Sequence, residues 1–173
     1  IRKLKEEFDI PVSIDTYKSA VAAAAIEAGA DLVNDIWGLK YDSKMAGLIA
    51  KTGVACCLMH NRENTDYQNF LADFMDDMKE CVKIAKDAGI ADDRIILDPG
   101  VGFGKTYEMN LEIIDKLEIM KELGYPVLLG TSRKSVIGLT LDLPVEEREE
   151  GTMVTTVYGV QKGCAFVRVH DVE

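Results

Sequence analysis

Six short apolar runs, at 10–14, 31–36, 54–59, 94–97, 126–129 and 165–169, alternate with stretches of helical pattern along the chain. Strands separated by helices pair in parallel through right-handed crossovers, which narrows the fold to a few α/β architectures. The helical stretches carry their own punctuation. The Ala-rich stretch 19–28 stops at Gly29, and 43–51 has Ser43 as its expected N-cap and Gly53 as terminator. Tyr67, Phe74, Met78 and Ala85 mark one apolar face of a long helix ending at Gly89. A further helix over 109–123 closes at Gly124, residues 132–137 form a short helix or turn, and 145–162 tolerates Gly151 at about 1 kcal/mol relative to Ala.

Ile1, Leu4 and Phe8 are spaced i, i+3, i+7, so the chain opens inside an amphipathic helix already under way. The expected class is α/β: a partial (β/α)8 TIM barrel of about six βα units, lacking the first two strands and the last helix. Residues 1–173 then form one domain. Spacing alone does not separate this from an open doubly wound sheet.

Composition bounds the partners. Twenty Lys+Arg against thirty Asp+Glu give a net charge of −10, which argues against non-specific binding to nucleic acid or an anionic membrane. An anionic small molecule stays open, because focused cations outweigh a distant acidic surface screened over roughly 8 Å. Cys56, Cys57, Cys81 and Cys164 lack metal-ligand spacing and read as reduced thiols of a cytoplasmic protein. No stretch has the character of a signal peptide or the length of a membrane span.

Three polar runs follow apolar strands: DPGVGFGK at 98–105, SRKS at 132–135 and RVHD at 168–171. In parallel α/β folds ligands gather at the carboxyl ends of strands. The glycine-rich run is no phosphate loop. Pro99 occupies the position where a Walker A motif needs its first Gly, and Lys105 stands where a dinucleotide fingerprint needs its third. Its glycines permit either a close approach to a ligand or a tight strand-to-helix turn.

Asp15, Asn34 and Asp98 lie at or near strand ends. Asp15 could equally cap the following helix. Asn34 shares a strand face with Leu32 and Ile36, so its amide is expected to point inward. An amide flanked by carboxylates suits a flat heterocycle with alternating donors and acceptors. Lys134 and Ser135 are either a solvated Lys with a helix-capping Ser or an anion site at a helix start. Arg168 and His170, two apart on a strand, are expected on one face as an anion-recognising pair.

The runs PVSIDTYKS, ADLVNDI, MH, ILDPGVGFGK, LLGTSRKSVIG and VRVHDV together resemble the dihydropteroate synthase family of pterin-binding barrels. They occur in the family's order over nearly the whole chain. The resemblance implies an enzyme of folate biosynthesis, joining 6-hydroxymethyl-7,8-dihydropterin pyrophosphate to p-aminobenzoate with release of pyrophosphate. It implies that Asp15, Asn34, Asp98 and Lys134 hold the pterin, with Phe103 and Gly130 lining its slot. Arg168 also packs on the pterin and, with His170, anchors the pyrophosphate. Ser135 takes the p-aminobenzoate carboxylate, with Phe103 beside the ring. Asp15, Asp98, Lys134, Arg168 and His170 are the implied catalytic set.

Mg²⁺ on the diphosphate is the implied cofactor. Its expected Asn ligand belongs to an N-terminal strand not found in this sequence, so no metal ligand is assigned here. The family's mobile first loop and Thr-Arg-Pro loop are likewise not found, and the fragment alone is expected to turn over poorly. A homodimer through the last helices is a further implication. Two other readings are a methyltetrahydrofolate-binding methyltransferase module, which SRKS and RVHD fit poorly, and a non-catalytic pterin-binding fragment.

Overall fold

A computed structural model describes residues 1–172. The chain divides into two compact units, one of residues 1–60 and 76–96, the other of residues 61–75 and 97–173.

The first unit opens with α1 (Arg2–Glu7), β1 (Ser13–Asp15) and α2 (Ser19–Glu27), continues with β2 (Leu32–Asp35) and α3 (Met45–Thr52), and reaches β3 (Ala55–Met59). β1 pairs with β2 and β2 with β3, all parallel, in a register that sets Asp15 beside Asn34 and Asp35 beside Leu58. Val33, Cys56, Cys57 and Leu58 on these strands are fully buried, as are Met45 and Ile49 of α3. Apolar burial of this kind stabilises by about 25 cal/mol per Å² removed from water. The helix α4 (Phe70–Asp87) adds Met78, Cys81 and Ala85 to the same core.

The turn after β2 is built around a buried carboxylate. Asp35 accepts from Trp37 N at 2.9 Å and from Leu39 N at 3.0 Å, and burial raises its carboxyl above the usual range. Gly38 in this turn has φ +57°, and a methyl group there would meet Cys81 Sγ at 2.5 Å.

The second unit carries the end of β4 (Ile95–Asp98), α5 (Tyr107–Asp115), β5 (Leu128–Leu129), α6 (Ser135–Leu141), α7 (Glu149–Lys162) and β6 (Phe166–Val167). β5 and β6 are parallel, and a parallel bridge joins Leu97 to Val127. With β1-β2-β3-β4 as the order in the other sheet, neighbours in space are neighbours in sequence throughout. A doubly wound sheet reverses its strand order at a switch point. The succession here is that of a (β/α)8 barrel, represented in part by six βα units.

Several expected boundaries move. The helix expected over 109–123 breaks at Lys116, leaving α5 and a 3₁₀ segment at Leu117–Leu123. It also starts earlier, because Thr106 caps it through a bond from Met109 N. The helix expected from 145 begins with a 3₁₀ turn at Val145–Glu147 after Pro144, and α7 proper starts at Glu149. Ser43 does not cap α3, whose N-cap Lys44 makes no side-chain cap bond. Asp42 accepts from Lys44 N at 3.0 Å in the turn before it and from Ser19 N at 2.8 Å at the start of α2. α1 buries none of its residues, and Leu4 and Phe8 are about half exposed.

Candidate functional site

In the first unit, parallel register brings Asp15 and Asn34 together. Asn34 Nδ2 donates to Asp15 Oδ1 at 2.9 Å. Asn34 is 8% exposed, and its Oδ1 is the single buried side-chain polar atom without a hydrogen-bond partner among the described residues. An acceptor left in that state costs about 1–3 kcal/mol, so it is poised for a donor. A cavity of about 400 Å³ is lined by Asp15, Thr16, Tyr17, Lys18 and Ile36. The start of α2 draws its cap from Asp42, which leaves the capping role once open to Asp15 already served.

In the second unit, the ends of β4 and β5 and the segment after β6 supply a charged cluster. A methyl group at Gly130 would stand 3.8 Å from Asp98 Oδ2 and 4.0 Å from both Lys134 Nζ and Arg168 Cβ. Gly130 therefore lies beside the Asp98 carboxylate, the Lys134 ammonium and the stem of Arg168. Asp98 Oδ1 accepts from Gly100 N at 2.7 Å. Burial raises the Asp98 carboxyl, opposed by Lys134, the Gly100 N–H, Lys105 and Arg168. Burial likewise lowers the Lys134 ammonium, opposed by Asp98 and reinforced by Arg168. Both groups are thus pressed toward neutrality, which a polar ligand pairing with the carboxylate would relieve.

The glycine-rich loop holds itself. Gly100, Gly102 and Gly104 have φ of +66°, +87° and +55°. Lys105 Nζ donates to Gly100 O and Phe103 O, both at 3.0 Å, so this lysine folds back on its own loop. Gly102 N donates to Asn110 Oδ1 at 2.6 Å, and Tyr67 OH to Gly104 O at 2.7 Å. Phe103 is presented to Lys134, whose Nζ lies 5.0 Å from the ring centroid and donates to Val101 O.

The SRKS turn is tied from outside. Arg133 adopts φ +56°, donates its N–H to Thr152 Oγ1 at 3.0 Å and accepts from Arg148 Nη1 at 3.0 Å. Its guanidinium grips Asp171 through two bonds, with Nε–Oδ2 at 3.0 Å. Ser132 Oγ meets His170 N at 3.0 Å and His170 Nδ1 at 2.8 Å. Ser135 is exposed in the first turn of α6.

β6 ends at Val167, and beyond it Arg168 N still donates to Leu129 O at 3.0 Å. The parallel register that pairs Leu128 with Phe166 and Leu129 with Val167 continues as Arg168 beside Gly130 and His170 beside Ser132. The structure thus joins Asp15 to Asn34, gathers Asp98, Gly130, Lys134 and Arg168, and sets Phe103 against Lys134. Ser132, Arg133, Asp171 and Asn110 were not singled out from the sequence. Their partners are 8 to 38 residues away, and only SRKS and RVHD, read as a pair, hinted at them.

Against known proteins, residues 1–170 match the family model described as pterin binding enzyme. The chain belongs to the pterin-binding enzymes. It is 67% identical to the dihydropteroate synthase of Clostridium beijerinckii over 99% of its own length, and 54% identical to that of Bacillus subtilis over 100%. It spans only 64% and 61% of those proteins. Its structure superposes on a crystal structure of the Clostridium difficile dihydropteroate synthase, solved in the presence of pteroic acid. The TM-score is 0.97 at 49% identity, covering 99% of this chain and 65% of that one. A Coxiella burnetii dihydropteroate synthase in complex with pteroic acid gives a TM-score of 0.94 at 34% identity, over 99% of this chain and 66% of that one.

The resemblance read from the motifs is therefore upheld. No helix among the described residues is long and apolar enough to cross a membrane. Among the same residues no group of three or more His, Cys, Asp or Glu could hold a metal ion.

Proposed function

We propose that this pterin-binding chain carries the substrate-holding portion of a dihydropteroate synthase, which condenses 6-hydroxymethyl-7,8-dihydropterin pyrophosphate with p-aminobenzoate and releases pyrophosphate. The observation that carries the reading is the unpartnered Asn34 Oδ1 beside Asp15, an acceptor that calls for a ligand N–H. Buried Asp98, with Lys134 beside it, supplies a second carboxylate for such a donor.

In this reading Asp15, Asn34, Asp98 and Lys134 hold the pterin, with Gly130 and Phe103 lining its slot. A carboxylate taking paired N–H groups from an aminopyrimidine gains charge-assisted bonds of about twice the neutral strength. As pyrophosphate departs, the pterin methylene becomes electron-deficient, and the buried Asp98 carboxylate offsets that charge where water would not. Arg168 and His170 face the departing diphosphate, and Ser135 with Phe103 receives p-aminobenzoate. The Mg²⁺ of this chemistry belongs to the diphosphate, and no role given to these residues depends on it.

A homodimer is part of the proposal, supported by an exposed apolar row on α7 formed by Met153, Val154, Val157 and Val160. A cytoplasmic location is supported by Cys56, Cys57 and Cys81, which lie buried in the apolar core in the manner of structural thiols.

Calorimetric titration with the dihydropterin pyrophosphate tests the site. Replacing Asp98 by Ala is expected to weaken binding by more than about 1 kcal/mol, the worth of a hydrogen bond to a charged group. Unchanged affinity refutes the assignment. In the full-length gene product, pyrophosphate release dependent on p-aminobenzoate supports the transferase; methyl transfer to a corrinoid, or pterin binding with no product, overturns it.

A further inference from the structure

We infer that Ser132 is a positioning residue that locks the His170 imidazole in one tautomer, with its only N–H at Nε2. The inference rests on the diphosphate role proposed above for His170, but its first readout does not.

Ser132 Oγ has two neighbours, and they ask different things of it. The backbone N–H of His170 can only donate, and it reaches Oγ at 3.0 Å. The hydroxyl oxygen is therefore already an acceptor there. His170 Nδ1, 2.8 Å away, can be either partner in its bond. Ser132 is 6% exposed, and its hydroxyl has no other hydrogen-bond partner among the described residues. If Nδ1 carried the proton, Oγ would accept twice and its own O–H would be buried without an acceptor, at a cost of about 1–3 kcal/mol. If Nδ1 is bare, the hydroxyl donates to it and every group is satisfied. The second arrangement wins.

The neutral ring then presents Nε2–H as a donor, and a donor is what the oxygens of a leaving diphosphate need. The same two bonds tie His170 to the SRKS turn, where Arg133 already grips Asp171. The ring is thus set in orientation as well as tautomer, as an imidazole is when a partner occupies its other nitrogen.

The test reads the ring nitrogens by ¹⁵N NMR above the titration range of histidine. His60 and His170 are the two histidines of the sequence, and His60, whose Nε2 bonds Asp77 Oδ2 at 2.9 Å, serves as the internal reference for an intact fold. In the wild type His170 is expected in one form, protonated at Nε2. Ser132→Ala is expected to relax it to a mixture, and Ser132→Thr to restore the single form, with the His60 signals unchanged. A wild-type ring protonated at Nδ1, or a Ser132→Ala ring still locked at Nε2, overturns the inference.

Inorganic pyrophosphate titrated into the same proteins gives the second readout. A weakening of about 3- to 10-fold in Ser132→Ala, rescued in Ser132→Thr, is expected for the loss of one oriented hydrogen bond. Equal affinity in all three proteins overturns the positioning role. Absence of pyrophosphate binding in the wild type refutes the diphosphate reading, while the tautomer result still decides the claim about Ser132.

Discussion

The loop at 98–105 and the turn at 131–135 do similar work by opposite means. The first follows β4 and is held mainly from within, by three left-handed glycines and by Lys105 folding back onto two carbonyls of its own loop. The second follows β5 and has one left-handed residue, Arg133. Thr152, Arg148, His170 and Asp171 fix it from elsewhere in the chain. A self-held loop localises the consequences of a mutation. A cross-tied turn couples its site to α7 and to the segment after β6.

The strongest way to break the comparison is at Gly104. Its φ is +55°, and an added methyl would sit 2.6 to 2.7 Å from the Arg62 backbone. Gly104→Ala is expected to cost about 3 kcal/mol in urea unfolding, because strain and clash act together on backbone that cannot give way. A loss below about 1 kcal/mol would mean the loop is not held as described.

The matching lesion in the other loop is remote from it. Arg148→Met strips donors from Arg133 O and Leu143 O. A destabilisation of about 2 kcal/mol is expected, together with weaker ligand binding at a turn that Arg148 reaches from fifteen residues away. Unfolding and titration on one preparation would separate the two effects, and unchanged ligand affinity would argue that the coupling is absent.

Asp98→Asn should move stability the other way. Burial raises the folded-state pKa of Asp98 above its unfolded value, so the native state holds the proton more tightly. Stability is therefore lost as pH rises from the ordinary carboxylate range through the raised value. An uncharged side chain removes that cost, so Tm at neutral pH is expected to rise. Pterin affinity should fall in the same variant. A lower Tm would show that the Gly100 N–H and the neighbouring cations outweigh burial.

The smallest effect is expected for Asp171→Asn. Its carboxyl is held low chiefly by the hydrogen bond from Arg133, so its contribution is present above the usual carboxylate range and lost as pH falls through the lowered value. The group is solvent-screened, so the Tm change should be slight and vanish at high salt. A large, salt-insensitive loss would raise this pair to the rank of the Arg148 ties.

How much of this was legible in the sequence follows the same divide. The DPG and GFGK glycines announced a turn of unusual dihedrals, because φ > 0 is a property of single residues. That the run is no phosphate loop was legible from Pro99 and Lys105 standing where glycines are needed; that Lys105 folds back on two carbonyls of its own loop was not. Asn34 was legible through strand period and register. The cross-ties were not: nothing local in Arg133 points to Thr152, nor in Ser132 to His170. Arg168 and His170 were legible as a pair two apart, and the register of β5 with β6 sets them beside Gly130 and Ser132 even though β6 ends at Val167. Asp42 was overlooked because the helix start it serves, at Ser19, lies twenty-three residues upstream.

The sequence by itself determined the parallel α/β class, the family and the identity of the polar strand ends. Those depend on apolar periodicity and on residues adjacent in the chain. Tertiary structure alone decided that Asn34 keeps one oxygen unpartnered, and that Asp98, Lys134 and Arg168 converge on Gly130. It also decided that a serine two residues before Lys134 governs the face His170 presents. Each of these is a contact between segments distant in sequence, and its energy depends on burial, which no single segment possesses until the chain has folded.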